Sequence, residues 1–88
     1  MASSVEERYL AASDAFKKRD LQRAFDLHLE LAEKGFSDSQ LFVGWMYQTG
    51  TGVTRNVDEA RRWYTIAAEK GNAEGYFRLG DLMEREGR

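Results

Sequence analysis

The chain has 88 residues, no Cys, no Pro, one His and a formal net charge of −2, with 42% hydrophobic and 32% charged residues. Without Cys there is no disulfide framework, no thiolate zinc site and no cysteine nucleophile, and a lone His28 builds no imidazole cluster for a metal. The weakly acidic balance gives no basic footprint for nucleic acid, so composition points to a small binding or scaffold domain and away from an enzyme.

The N-terminal stretch MASSVEERYLAASDAF carries Glu6 and Glu7 where a secretory leader needs a positive flank and an apolar run. No apolar run approaches the roughly 20 residues that span a bilayer. The expectation is a soluble, cytoplasmic protein without membrane contact.

Apolar spacing predicts five helices and no strand, since no run alternates with a two-residue period. The first, Ser4–Lys18, places Val5, Tyr9, Ala12 and Phe16 on its inner side. The second, Asp20–Lys34, carries Ala24, Leu27, His28, Leu31 and Ala32 at i, i+3, i+4, i+7 and i+8, one stripe, and stops at Gly35. The third, Ser37–Gln48, opens at a Ser37–Asp38 cap, carries Val43, Met46 and Tyr47, and is stopped by Gly50 and Gly52. In the fourth, Val57–Lys70, the same stripe returns as Ala60, Trp63, Tyr64, Ala67 and Ala68, with Asp58 and Glu59 at the positive end of the helix dipole. The fifth, Ala73–Glu86, carries Phe77, Leu79, Leu82 and Met83.

The sequence also repeats itself. Leu31-Ala32-Glu33-Lys34-Gly35 returns as Ala67-Ala68-Glu69-Lys70-Gly71, an offset of 36. The same offset pairs Gly44 with Gly80, Val43 with Leu79, Met46 with Leu82 and Ala24 with Ala60. A glycine inside a helix costs about 1 kcal/mol relative to Ala, so its return at one register predicts close helix–helix contact at Gly44 and Gly80. Stacked helical hairpins with this period form an α-solenoid, here of about two and a half units.

The stretch from Ala32 to Gly80 resembles the Sel-1-like repeat family, a branch of the tetratricopeptide (TPR) superfamily. Ala32, Gly35, Gly44, Met46, Tyr47, Gly50, Gly52, Val53, Ala60, Trp63, Tyr64, Ala67, Ala68 and Gly71 carry the resemblance. Departures are Ser39 and Gly75 for Ala, Val43 for Leu, Asn56 for Asp, and Thr54 where Pro is frequent. Residues 15–24 are similar to the shorter turn of an ordinary TPR repeat, with Arg19 where Gly is common. The resemblance implies an all-α, right-handed superhelix of antiparallel helix pairs, an adaptor role and no shared catalytic residues. The expected organisation is a single domain over 1–88, with a degenerate TPR-like repeat at 4–35, a full Sel-1-like repeat at 36–71, and a half repeat and capping helix at 72–88 whose charged outer side closes the array.

Most remaining features have structural readings. Gly50-Thr51-Gly52 lacks the strand and the Lys-Ser or Lys-Thr of a phosphate loop and is read as an inter-helix turn. His28 replaces Tyr64 on its stripe and is read as core, as are Trp63 and Tyr64. Glu30, Glu33, Glu69, Glu84 and Glu86 read as solvated faces, and Lys17-Lys18-Arg19 and Arg61-Arg62 have acidic neighbours.

Two surfaces are left for a partner. With Ala12, Gly44 and Gly80 equivalent, the positions following them line a concave groove, predicted to include Tyr9, Ser13, Leu41, Trp45, Phe77 and Asp81. Phe25 and Leu29 widen the apolar stripe of the second helix where the next repeat has Arg61 and Thr65, and predict an oligomer or partner face. The expected partner is a protein or peptide, with no cofactor, metal or nucleic acid. Self-association through the repeat ends is the first alternative. A small-ligand or glycan-fragment site, which requires a defined cavity at Trp45, is the second.

Overall fold

The computed structural model describes residues 4–86. Five helices follow in chain order, α1 (Val5–Lys17), α2 (Leu21–Glu33), α3 (Ser37–Thr49), α4 (Val57–Glu69) and α5 (Ala73–Glu86), and no strand occurs among the described residues. Residues 1–3 and 87–88, included in the expected domain and terminal cap, lie outside the described residues. Each helix packs on the next in sequence, giving a short α-solenoid with extents of 46 × 26 × 16 Å.

Helix ends are set by local chemistry. Ser4 and Glu7 form a reciprocal capping box at 3.0 Å in each direction, and the Asn56 side chain accepts from the Glu59 amide at 3.1 Å. The cap expected at Ser37–Asp38 does not form. Phe36 is the N-cap of α3 and offers no side-chain bond, because Ser37 is already helical and its hydroxyl instead accepts from Asn72 Nδ2 at 3.1 Å. Three helices close in the same left-handed turn, at Arg19 (φ 67°), Gly35 (φ 102°) and Gly71 (φ 87°). In each, the left-handed residue and its successor donate to carbonyls of the last turn, as Arg19 does to Phe16 and Asp20 to Ala15. Arg19 bears a Cβ in a conformation that costs L-residues roughly 1–2 kcal/mol, so the first turn is the strained one of the three.

The core is organised around α3. A Cβ on Gly44 would lie 2.6 Å from Cε1 of Tyr64, so only glycine admits the ring there. Tyr64 is fully buried, and its hydroxyl donates to Gln48 Oε1 at 2.7 Å. Burial pushes its phenol up to about 12. One repeat earlier His28 is 3% exposed, with its ring edge-on to Phe42 at 4.3 Å and to Tyr9 at 5.7 Å. Its Nδ1 lies 3.4 Å from the Ser39 hydroxyl, and burial lowers its pKa to about 4.

Three expectations are corrected. Among the described residues no atom lies within 4 Å of a Cβ built on Gly80, so the close contact read there is not made by α1–α5. Phe25 is buried at 7% exposure with its ring edge-on to Tyr47 at 5.3 Å, and Leu29 is partly buried against the same core. Val53 packs against that core too, and a Cβ on Gly52 would strike the Leu21 carbonyl, so the glycine-rich turn folds down over α2 and removes the predicted Phe25–Leu29 face. The outer side of α5 is not the expected charged cap, because Tyr76, Phe77 and Met83 are exposed on it.

The two glycines therefore respond oppositely to a methyl group. Gly44→Ala is expected to lower stability by about 2 kcal/mol through overpacking against Tyr64. Gly80→Ala is expected to raise it by about 0.5–1 kcal/mol through helix propensity. Urea denaturation of the two variants checks both signs. His28 titrates with a definite sign as well. The folded state keeps it neutral, while the unfolded chain takes up its proton below the ordinary value of 6.5. Stability present above pH 6.5 is thus lost as pH falls toward about 4, and no further loss from this group follows below that. The urea midpoint of His28→Phe should fall less than that of the wild type over this interval.

Candidate partner-binding groove

Parallel placement of α1, α3 and α5 on one side of the solenoid leaves a groove of ≈ 610 Å³. Tyr9, Ser13, Phe16 and Lys17 line it from α1, Asp38, Leu41, Phe42 and Trp45 from α3, and Glu74 and Arg78 from α5, with His28 of α2 in the floor. It is open to solvent, without the enclosing walls of a small-ligand cavity.

Helical spacing assembles its floor. Phe42 and Trp45 are three residues apart and share a face of α3, and their rings stack at 5.6 Å with planes 8° apart. Phe16 of α1 meets both edge-on, at 5.2 Å and 6.2 Å. The row continues from Phe42 to His28 and then to Tyr9. Five rings from three helices thus form one continuous row through the buried His28, and Tyr9 at its end is 42% exposed. A second hollow of ≈ 580 Å³ adjoins at Tyr9 and Asp38 and is walled by Val5, Leu10 and Phe36, all exposed.

Charge is confined to the rim. Lys17 stands at the C-terminal end of α1 and Asp38 at the start of α3, and neither forms an ion pair among the described residues. Arg78 pairs with Glu74 at 2.9 Å on the α5 side. Among the described residues, no group of three His, Cys, Asp or Glu side chains could hold a metal ion. No helix among the described residues is long and apolar enough to cross a membrane.

Of the residues singled out from sequence, Tyr9, Ser13, Leu41 and Trp45 come together in this groove. Phe77 and Asp81 do not line it. Helix α5 turns Glu74 and Arg78 toward α3, leaving Phe77 68% exposed and Asp81 paired with Arg85 at 2.9 Å. Phe42, at the centre of the aromatic row, is missing from the sequence-based set. Its signal is present, an aromatic off the Val43–Met46–Tyr47 stripe but on the Trp45 face.

Comparison with known proteins agrees with the periodicity. The family model for the Sel1 repeat matches residues 9–36 and 37–72. Chitin synthase regulator SKT5 of Saccharomyces cerevisiae is 37% identical over 78 residues, which cover 89% of this chain and 11% of that protein. Chitin synthase regulatory factor 3 of Schizosaccharomyces pombe is 39% identical over 62 residues, covering 70% of this chain and 7% of that protein. The chain therefore spans about a tenth of the length of these curated relatives. The crystal structure of a Sel1 repeat protein from Oxalobacter formigenes superposes with a TM-score of 0.80 at 30% identity, covering 91% of this chain and 35% of that one. With two matched repeats, a shared fold and the glycine–tyrosine packing that the period requires, the chain belongs to the Sel1 repeat family.

Proposed function

We propose that the chain is a non-enzymatic interaction module, an adaptor that holds a peptide segment of a partner protein in the groove between α1, α3 and α5. The observation that carries this reading is the open groove lined by Tyr9, Phe16, Phe42 and Trp45, with the buried His28 ring linking Tyr9 to Phe42 beneath it and charge at its rim. Aromatic side chains supply large contact area with few rotatable bonds, so they anchor a ligand at low entropic cost. Lys17 and Asp38 give the groove a direction. A bound segment places an apolar or aromatic residue over Trp45 and Phe42, an acidic residue toward Lys17 and a basic one toward Asp38. Two fungal relatives are named as a regulator and a regulatory factor of chitin synthase, which supports a role exerted on another protein. The open form of the groove favours a chain segment over a compact small molecule.

Panning a random peptide library on the immobilised protein tests this. Selected peptides are expected to share the charged–apolar–charged pattern and to bind Trp45→Ala at least about tenfold more weakly than wild type. Lys17→Glu, an exposed change that leaves the rings intact, is expected to reverse the acidic preference without altering thermal stability. Equal binding of the selected peptides to wild type and both variants would overturn the groove assignment.

A further inference from the structure

Two buried polar atoms, Trp63 Nε1 and Gln40 Oε1, have no hydrogen-bond partner among the described residues. One is a donor and the other an acceptor, and their residues are 4% and 2% exposed. The Gln40 amide is fixed end for end, because its Nε2 donates to the Ala32 carbonyl at 3.1 Å and leaves the oxygen as the free corner. Both side chains line one cleft of ≈ 400 Å³ between the end of α2, α3 and α4, which shares no residue with the aromatic groove. The repeat does not demand this pair. The offset of 36 places Leu27, which has no N–H on its side chain, where Trp63 stands, and Gln40 is not among the residues that carry the period. An unpaired donor and an unpaired acceptor in one cleft are costly to the fold, and together they specify a ligand.

We infer that this cleft binds an amide group of a partner polypeptide, whose carbonyl accepts from Trp63 Nε1 and whose N–H donates to Gln40 Oε1. The lining is polarised in the sense this requires. Arg62, Trp63 and Lys70, from α4 and its C-cap, supply donors, while Glu33 of α2 and Gln40 of α3 supply acceptor oxygens. A carboxylate satisfies Trp63 but brings a second acceptor against Gln40 and Glu33, and an ammonium reverses the mismatch. A hydroxyl holds both functions on one atom. An amide separates them on two atoms, so its dipole aligns with the field of the cleft, and Ala32 and Ile66 meet its flanking carbons. The indole is held for this role, with the Arg62 guanidinium 4.8 Å from its ring centroid and itself paired with Glu59 at 3.2 Å. Lys70 Nζ donates to the Gly35 carbonyl, so both cations have other partners and leave the Gln40 oxygen unanswered. Arg62 and Lys70 are exposed, and an entering group displaces these long side chains without moving a helix.

The test is a 15N-resolved NMR titration of the whole chain, in which the indole N–H signals of Trp63 and Trp45 report the cleft and the groove separately. N-methylacetamide, a single peptide group, is expected to shift the Trp63 indole and the Gln40 side-chain amide saturably and to leave the Trp45 indole in place. N,N-dimethylacetamide keeps the carbonyl but has no N–H, and should bind at least fivefold more weakly. Gln40→Met, which keeps the length and removes the acceptor, should bring N-methylacetamide down to the same level. The comparison of the two amides on wild type decides the case even where that variant fails to fold. Propionamide distinguishes the sources, since tighter binding than N-methylacetamide assigns the site to an Asn or Gln side chain and weaker binding to the main chain. Absence of a saturable shift at Trp63, equal binding of N,N-dimethylacetamide, or an equal response to ethanol would overturn the proposal. So would a long-lived water cross-peak to the Trp63 indole that persists at saturating amide, since a trapped water would then satisfy the pair.

Discussion

The contact between Gly44 and the ring of Tyr64 is the constraint on which the rest of the molecule depends. A glycine at mid-helix weakens α3 by about 1 kcal/mol, and what it provides is the missing Cβ that lets α4 lie close. Once the ring is seated, its hydroxyl must find an acceptor, because a buried phenol without one is costly; Gln48, one turn along, supplies it. Leu41 and Tyr47 then close over Ala60 and Tyr64 on either side. With that face of α3 fixed, its remaining face carries Phe42 and Trp45 outward in a set orientation. The aromatic row is thus positioned by the inter-helix packing behind it.

The first unit meets the same geometric demand with different residues. Where the second has Gly44 and Tyr64, the first has Ala12 and His28, both buried. A larger small residue is matched by a smaller ring, which keeps the volume at the crossing similar. The exchange has an electrostatic consequence, because an imidazole in that place must stay neutral, and burial holds it so near neutral pH. Arg19, taking a left-handed turn that its later counterparts give to glycine, adds a second local strain to the same unit. The N-terminal unit is therefore the less favourable solution locally, held by its packing on α3 through Phe16, His28 and Phe42.

The array was legible because the offset of 36 and the i, i+3, i+4 stripe are properties of the chain alone, and helix ends followed to within a residue wherever a cap or a left-handed turn set them. The groove was legible in part. Tyr9, Ser13, Leu41 and Trp45 follow from register, whereas Phe42 lies off the core stripe and its stacking depends on how α1 and α3 face each other. Phe25 shows a different limit. An apolar surplus on a helix reads as an exposed face until the fold shows Tyr47 of the next helix edge-on to Phe25 and Val53 packed against the same core. Phe77 and Gly80 show a third. Register names the packing position of each, and among the described residues no helix lies on that side of α5.

An array closes stably when its terminal helix turns a polar side to water. On α5 the ion pairs Arg78–Glu74 and Arg85–Asp81 are solvent-exposed and contribute only tenths of a kcal/mol each. Between them stand Phe77 and Met83, more than half exposed, and a glycine that meets no neighbour. Propensity alone favours Ala at that position, and solubility favours polar residues beside it. A helix that gives up both retains the features of α3 before α4 is laid upon it. The face of α5 thus carries the packing pattern of the repeat, with Gly80 where α3 has the glycine that seats Tyr64.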